Sequence, residues 1–139
     1  MEMRTTTIRR MLAGAIVLGL LAGCGDDAPP VVLKPKAEDP ELVAARAEAQ
    51  TVYEQTCSPC HGVSGAANGI RSADLGISPR NFQDPGWQDS VTDAYIEEIT
   101  VKGGAALGKS DVMPAHPELA DKPRTVTAIR EYIRRFPNP

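Results

Sequence analysis

The chain has 139 residues and a formal net charge of −3, with 18 acidic against 15 basic side chains. An acidic chain lacks a general electrostatic attraction to nucleic acid, so we expect no nucleic-acid partner. Its length suits one domain, but aromatic residues make up only 4% of it, while Gly and Pro number 12 each. These side chains alone predict a thin core with much loop, so another group is needed to fill the centre.

The first 23 residues have the pattern of a secretory signal. A basic start precedes the apolar run from Met11 to Leu21, 11 residues long, whereas a membrane-spanning helix needs roughly 20. The run ends in Leu21-Ala22-Gly23-Cys24, which resembles the lipobox of bacterial lipoproteins, in which the cysteine sulfur carries lipid and becomes the new N-terminus. The alternative is an ordinary cleavage site. We expect Cys24 to anchor an exported protein on the periplasmic side of a bacterial membrane.

Residues 24–39 are rich in Pro and charge and lack helical periodicity, which predicts a semi-extended tether. The folded domain is expected over residues 40–139. It begins with a helix, because Asp39 is a good N-cap and Pro40 suits the first helical position. An apolar stripe at helical spacing extends this helix to about Thr56 and comprises Leu42, Ala45, Ala49, Val52 and Tyr53.

The predicted helix leads into "TCSPCHG", in which Cys57 and Cys60 are separated by two residues and His61 follows directly. Four kinds of site contain such cysteines. A structural zinc needs four ligands, and no second cysteine pair is present. A thioredoxin-like redox pair follows a strand, whereas the pattern before Cys57 is helical. A disulfide leaves His61 unexplained.

Covalent haem attachment uses all three side chains. Cys-x-x-Cys-His is the haem c signature: two thiols add to the two vinyl groups, and the imidazole of the next residue binds the iron. Two intervening residues place both sulfurs on one side of a helical turn, and His61 then points its ring under the iron. The motif therefore predicts one haem c, bound through Cys57 and Cys60 with His61 as a ligand.

A second helix is predicted from its cap, Thr92, to a stop at Gly103. The following polar, Pro-rich loop contains Met113, which is the only methionine after residue 23. A methionine thioether and an imidazole are both haem ligands, and the thioether gives the higher potential. We favour Met113 as the second iron ligand over the alternative, His116, which is expected to lie at the surface.

A last helix is predicted from about Pro123 to Phe136, ended by Pro137. Its apolar positions recur at helical spacing: Val126, Ile129, Tyr132, Ile133 and Phe136. With three helices and no strand pattern, the predicted fold class is all-α. The loops over residues 62–90 and 104–120 are long for plain helix connections, so we expect them to wrap the haem.

Taken together, residues 40–136 resemble a class I monohaem c-type cytochrome of the bacterial, lipoprotein-anchored kind. The resemblance rests on "CSPCHG", "SPRNF", "VMPAHPEL" and "AIREYIRRF", in this order. It implies a cytochrome c-like fold, with three main helices and long loops around one covalent haem. It also implies thioether bonds at Cys57 and Cys60 and axial ligation by His61 and Met113.

The resemblance implies supporting roles for further residues. The Pro79 carbonyl is expected to accept the other ring N–H of His61, although the His61–Pro79 spacing is longer than in the mitochondrial type, and an ordinary turn proline is the alternative. Trp87 is expected to donate its indole N–H to a haem propionate, with core packing as the alternative. The crossing of the first and last helices is expected at Ala49, Tyr53 and Tyr132.

The resulting function is electron transfer without catalysis, by a monomer that exchanges one electron with membrane-associated redox proteins. With both axial positions filled, no substrate can bind the iron. One alternative is a haem c subunit permanently docked to a larger oxidase or dehydrogenase. Another is a gas-binding or peroxidase-type haem protein, which Met113 disfavours because such proteins need an open axial position.

Overall fold

The computed structural model describes residues 38–136, and this part of the chain is all-helical, without a strand. The predicted signal over residues 1–23, the lipidation site Cys24 and nearly all of the predicted tether lie outside the described residues. Within them, no helix is both long enough and apolar enough to cross a membrane. The α-helices are α1 (Pro40–Val52), α2 (Ser58–His61), α3 (Pro85–Ser90), α4 (Asp93–Ala106) and α5 (Pro123–Arg134).

Three helix starts follow from their capping residues. The Asp39 carboxylate accepts from the Glu41 amide at 3.0 Å, and the Thr92 hydroxyl accepts from the Tyr95 amide at 3.1 Å, as both sequence caps predict. Asp84 caps α3 in the same way, by accepting from the Gly86 amide at 2.9 Å. The short helix α3 was not predicted, and it orders part of the long loop after the cysteine motif.

The first helix runs farther than its apolar stripe predicts. A π-helical turn, Tyr53–Cys57, follows α1 directly and leads into α2, so the chain stays helical to His61. The Ser58 amide donates to the Tyr53 carbonyl, five residues back. Pro59 has no N–H to continue the α-helical hydrogen bonds, and its ring would clash with the preceding turn of a regular α-helix. The wider π turn makes room for the ring. The consequence is that Cys57, Cys60 and His61 lie on one continuous helical segment.

The hydrophobic core forms where α1 and α4 pack against α5, and Ile96 of α4 belongs to the same buried cluster as Ala49 and Ile129. Ala49 and Tyr53 are buried, and the Tyr53 ring lies 4.8 Å from Tyr132 and 5.1 Å from Phe136 between centroids. The small Ala49 lets the two helices approach while the aromatic rings fill the space beside it. The predicted contact of the first and last helices is therefore confirmed.

A network of charged and polar groups joins α3, α4 and α5. The Arg134 guanidinium donates to the Asp93 carboxylate at 2.9 Å, to the Val91 carbonyl at 2.7 Å and to the Gln88 side-chain oxygen at 2.9 Å. Gln88 is buried, so these bonds satisfy a side chain that would be costly to bury unpaired. They fix the end of α5 against the loop that contains α3.

Candidate functional site

The two cysteines and the histidine share one face of a helical turn. Cys57 ends the π turn, and Cys60 and His61 follow it by three and four residues in α2. Residues at these spacings lie within about 100° of each other around a helix. Both cysteines are free thiols, so the disulfide alternative has no support here. Among residues 38–136 no group of three or more His, Cys, Asp or Glu side chains is placed to hold a metal.

Cys57 does not have the environment of a redox-active thiol. Burial, and then the neighbouring Cys60, raise its pKa to about 12. Redox-active Cys-x-x-Cys pairs instead contain a thiol whose pKa is lowered, because the thiolate is the nucleophile. The described part of the chain also lacks the strand that such a motif follows. Neither observation favours the redox-pair alternative.

His61 is held in one orientation. Its Nδ1 lies 2.9 Å from the Arg80 carbonyl oxygen, which can only accept, so Nδ1 carries the proton and Nε2 has the free lone pair. Burial lowers the pKa of the imidazole, outweighing the opposite effect of the Arg80 bond, and so keeps it neutral. The Phe82 ring stacks on the imidazole at 4.3 Å between centroids, with 11° between the planes.

The carbonyl that His61 reaches differs from the predicted one. The prediction named Pro79, whereas the structure gives this bond to Arg80, one residue later. The Pro79 carbonyl is instead 3.3 Å from the hydroxyl of Ser78. Spacing along a loop predicts that "SPRNF" passes the histidine, but the loop conformation decides which carbonyl turns toward the ring.

The loop after the motif folds back over the end of α2. Its amides at Ala67, Gly69 and Arg71 donate to the carbonyls of His61, Cys60 and Pro59 at 2.8, 3.2 and 2.8 Å, respectively. These carbonyls close the helix and would otherwise lack partners. A Cβ at Gly69 would lie 2.3 Å from the Pro59 oxygen, so only glycine permits this close approach. Sequence reasoning missed Gly69, although a glycine in the loop after a helix end is a usable signal.

Phe82 and Gln88 were also missed as site residues. The Phe82 amide donates to the Gly65 carbonyl at 2.7 Å, and the Phe82 carbonyl accepts from the Gln88 side chain at 2.8 Å. The backbone on both sides of the ring that stacks on His61 is therefore fixed. The sequence does contain one signal that could have identified Phe82: this residue, in "RNFQ", is one of only two phenylalanines in the chain.

Trp87 lies in this aromatic group and is half-buried. Its ring is 5.3 Å from Phe82 between centroids, and the Arg80 guanidinium lies 5.9 Å from its centroid, within cation–π range. These contacts of Trp87 are the ones that the core-packing alternative predicts. The predicted bond of its indole N–H to a propionate stays a prediction.

Met113 lies beside the end of α4. Its side chain is half-buried, and its carbonyl accepts from the Gly104 amide at 3.0 Å. The backbone hydrogen bond that places it is made with α4. His116 is also half-buried rather than at the surface, with its Nδ1 3.0 Å from a Glu118 carboxylate oxygen. The Glu118 carboxylate thus already occupies one ring nitrogen of the alternative ligand.

An open groove of about 910 Å³ lies between α2, the loop after the motif and the end of α5. Two exposed apolar side chains, Val63 and Ile70, line it together with Pro59, Tyr132 and Phe136. Neither motif thiol, His61 nor Met113 lines it. The groove is therefore distinct from the face that carries the three motif side chains.

No family model matches this sequence, and a search of curated proteins finds none that is significantly similar.

Proposed function

We propose that this protein is an electron carrier with a cytochrome c-like fold and a single haem c, attached through Cys57 and Cys60 and axially ligated by His61 and Met113. The observation that carries the proposal is the fixed tautomer of His61. Its Nδ1–H is bound by the Arg80 carbonyl, so the lone pair at Nε2 is available on the helical face that carries both thiols. Ligating histidines use this arrangement, in which a hydrogen bond at one ring nitrogen orients the other toward the metal.

The residues present fit the group. Two free thiols, a neutral imidazole and nearby aromatic rings supply the attachment points, the ligand and an apolar wall. When bound, haem supplies an iron that alternates between the ferrous and ferric states. The chain fixes the ligands and limits the access of water to the site.

Several residues share the task of holding His61 still. The Arg80 carbonyl sets its tautomer, Phe82 restrains the plane of its ring, and Gln88 fixes Phe82. A ligand that does not rotate or protonate reorganises little when the charge of its surroundings changes. This property suits a carrier, whose work is to gain and lose one electron with little structural change.

In this proposal Met113 would supply the second iron ligand, so no substrate would bind at the metal and the protein would not act as an enzyme. Cys24 carries the lipid that keeps the exported protein at the periplasmic side of a membrane, where it works as a monomer. Its donor and acceptor are redox proteins that reach the domain there. The Pro-rich residues 24–39 form the tether that sets how far the domain can extend from its lipid anchor.

The test begins with the full chain expressed in a host that exports and matures c-type cytochromes. We expect a mass increase of one haem that survives denaturation, together with a reversible one-electron wave in voltammetry. Colourless, fully folded protein with two titratable motif thiols would contradict the proposal.

Matched variants then separate the two ligand candidates. Met113→Ala should abolish the weak far-red band that sulfur-to-iron ligation gives the oxidised protein, whereas His116→Gln should leave it. A wild type that carries haem without this band, and whose haem spectrum changes in His116→Gln but not in Met113→Ala, would assign the ligand to His116. Rapid, complete binding of carbon monoxide by the reduced wild type at neutral pH would favour the gas-binding class instead. Co-purification with one larger complex at fixed stoichiometry would favour a docked subunit.

A further inference from the structure

The helix α4 is interrupted three residues before its end. Gly103 has φ 76° and ψ 171°, far from helical values, and helical turns resume after it. In an uninterrupted helix the Gly104 amide would donate to the Thr100 carbonyl, four residues back. Because of the break, it donates instead to the Met113 carbonyl at 3.0 Å. The interruption thus turns a helix amide toward the segment that contains the proposed ligand.

A second backbone bond fixes the other end of that segment. The His116 amide donates to the Val101 carbonyl at 2.9 Å. Residues 113–116 are therefore paired with residues 101–104 by one hydrogen bond at each end. Between these two hydrogen bonds, the backbones of residues 101–104 and 113–116 lie so close together that no side chain fits between them.

The glycines are what permits this approach. A Cβ at Gly103 would lie 2.7 Å from the Ala115 nitrogen, and a Cβ at Gly104 would lie 2.1 Å from the Ser110 oxygen. Both glycines are buried, and the atoms they would meet belong to the backbone, which cannot rotate away as a side chain can. An alanine at either position must therefore displace the segment or distort α4.

We infer that Gly103 and Gly104 are positioning residues for Met113. Their close backbone contact with the loop that contains Met113, called the seat below, sets where the Met113 sulfur lies. The inference rests on the proposed function. Methionine has three rotatable bonds and a weakly bonding thioether, so its side chain does not fix its own position. A ligand of this kind needs a rigid backbone beneath it, because a displacement of about 1 Å is enough to spoil a site.

The chain offers a matched control for each glycine. Gly108 has φ 67°, similar to Gly103, but a Cβ there would meet nothing within 4 Å. Gly108→Ala therefore introduces the strain of a positive φ without the contact. Gly86 has no positive φ, like Gly104, and a Cβ there would meet only one side-chain oxygen, of Asp84, at 3.3 Å and no backbone atom within 4 Å.

The experiment uses haem-loaded, full-length protein. Gly103→Ala and Gly104→Ala should lose most of the far-red band while keeping the covalent haem, and their reduction potentials should fall, because loss of a thioether ligand lowers the potential. Gly108→Ala and Gly86→Ala should keep the band and the potential. An effect on stability alone would leave both quantities unchanged in the fraction that folds.

Amide exchange in the wild type tests the seat without any substitution. The amides of Gly104 and His116 should exchange at least about tenfold more slowly than exposed loop amides such as that of Gly76. Unprotected amides, or a full band in both Gly103→Ala and Gly104→Ala, would overturn the inference and leave the proposed function intact. A wild type that is colourless, or that carries haem without the band, would overturn the Met113 ligation and the inference together.

Discussion

The His61 side and the Met113 side of the proposed haem site are held by different means. On the His61 side, one imidazole is fixed by a carbonyl, a stacked ring and a loop that folds back over its helix. On the Met113 side, a loop is attached to α4 by two backbone bonds, and neighbouring Val112 is 39% exposed. The His61 side is part of the packed core, whereas the Met113 side is held against the glycine pair Gly103 and Gly104.

This difference indicates how the two ligands would respond to change. His61 can be disturbed only by opening packed aromatic contacts, which costs several kcal/mol. The Met113 segment can shift through the rupture of two hydrogen bonds, each of which contributes about 1 kcal/mol. We therefore expect substitutions near His61 to lower global stability and substitutions near Met113 to change ligation first.

The largest effect is expected from removing the attachment points. Cys57→Ser combined with Cys60→Ser should abolish covalent haem, and with it most of the cooperative thermal unfolding, because the remaining apolar side chains form a thin core. Mass spectrometry after denaturation and circular dichroism melts would measure the two effects. Cys24→Ser is the control, since it should release the protein from membranes while keeping the haem. A double variant that melts like the wild type would show that the domain needs no haem.

Phe82→Ala comes next, because this ring is buried and stacks on His61. Truncation of a buried phenylalanine costs about 3–5 kcal/mol in the free energy of unfolding, measured by denaturant titration of the haem-loaded protein. Val112→Ala on the Met113 side should cost no more than about 0.5 kcal/mol. Equal losses in the two variants would contradict the contrast between the two sides.

Tyr53→Phe tests a single bond within the His61 side. The Tyr53 hydroxyl is buried and donates to the Gly62 carbonyl at 2.8 Å, directly after the histidine. Its removal leaves that carbonyl without this donor, so the free energy of unfolding should fall by about 1–2 kcal/mol. The far-red band should not change, because the ring stays in place. Loss of the band would mean that the two sides are coupled through α5.

The smallest effect is expected from Lys102→Ala on α4, next to the glycine pair. Lys102 contacts Glu98 at 2.6 Å, but the two side chains are 58% and 48% exposed. Exposed pairs at this helical spacing contribute about 0.3–0.5 kcal/mol, and less at high salt. Denaturant titration at low and high salt would measure the change. A loss of several kcal/mol would show that the Met113 side depends on charge rather than on the seat.

Much of the helical framework could be predicted from local signals. Asp39 and Thr92 cap the helices they were expected to cap, and the Ala49 and Tyr53 stripe is buried against α5. Those features depend on neighbouring residues and on a 3.6-residue period, both of which are readable along the chain. The sequence placed the motif on a helical turn but ended the first helix at about Thr56, because the π turn that joins the two does not follow the 3.6-residue period.

The sequence by itself determined that Cys57, Cys60 and His61 would share a helical face, because their spacing alone places them there. It also determined that Met113 is the only methionine after residue 23. Only the tertiary structure decided that Arg80 rather than Pro79 orients His61, that Phe82 stacks on the imidazole, and that Gly103 and Gly104 hold the Met113 backbone. Those contacts join residues that are 9 to 21 positions apart, and their distances depend on how the loops close rather than on any local periodicity.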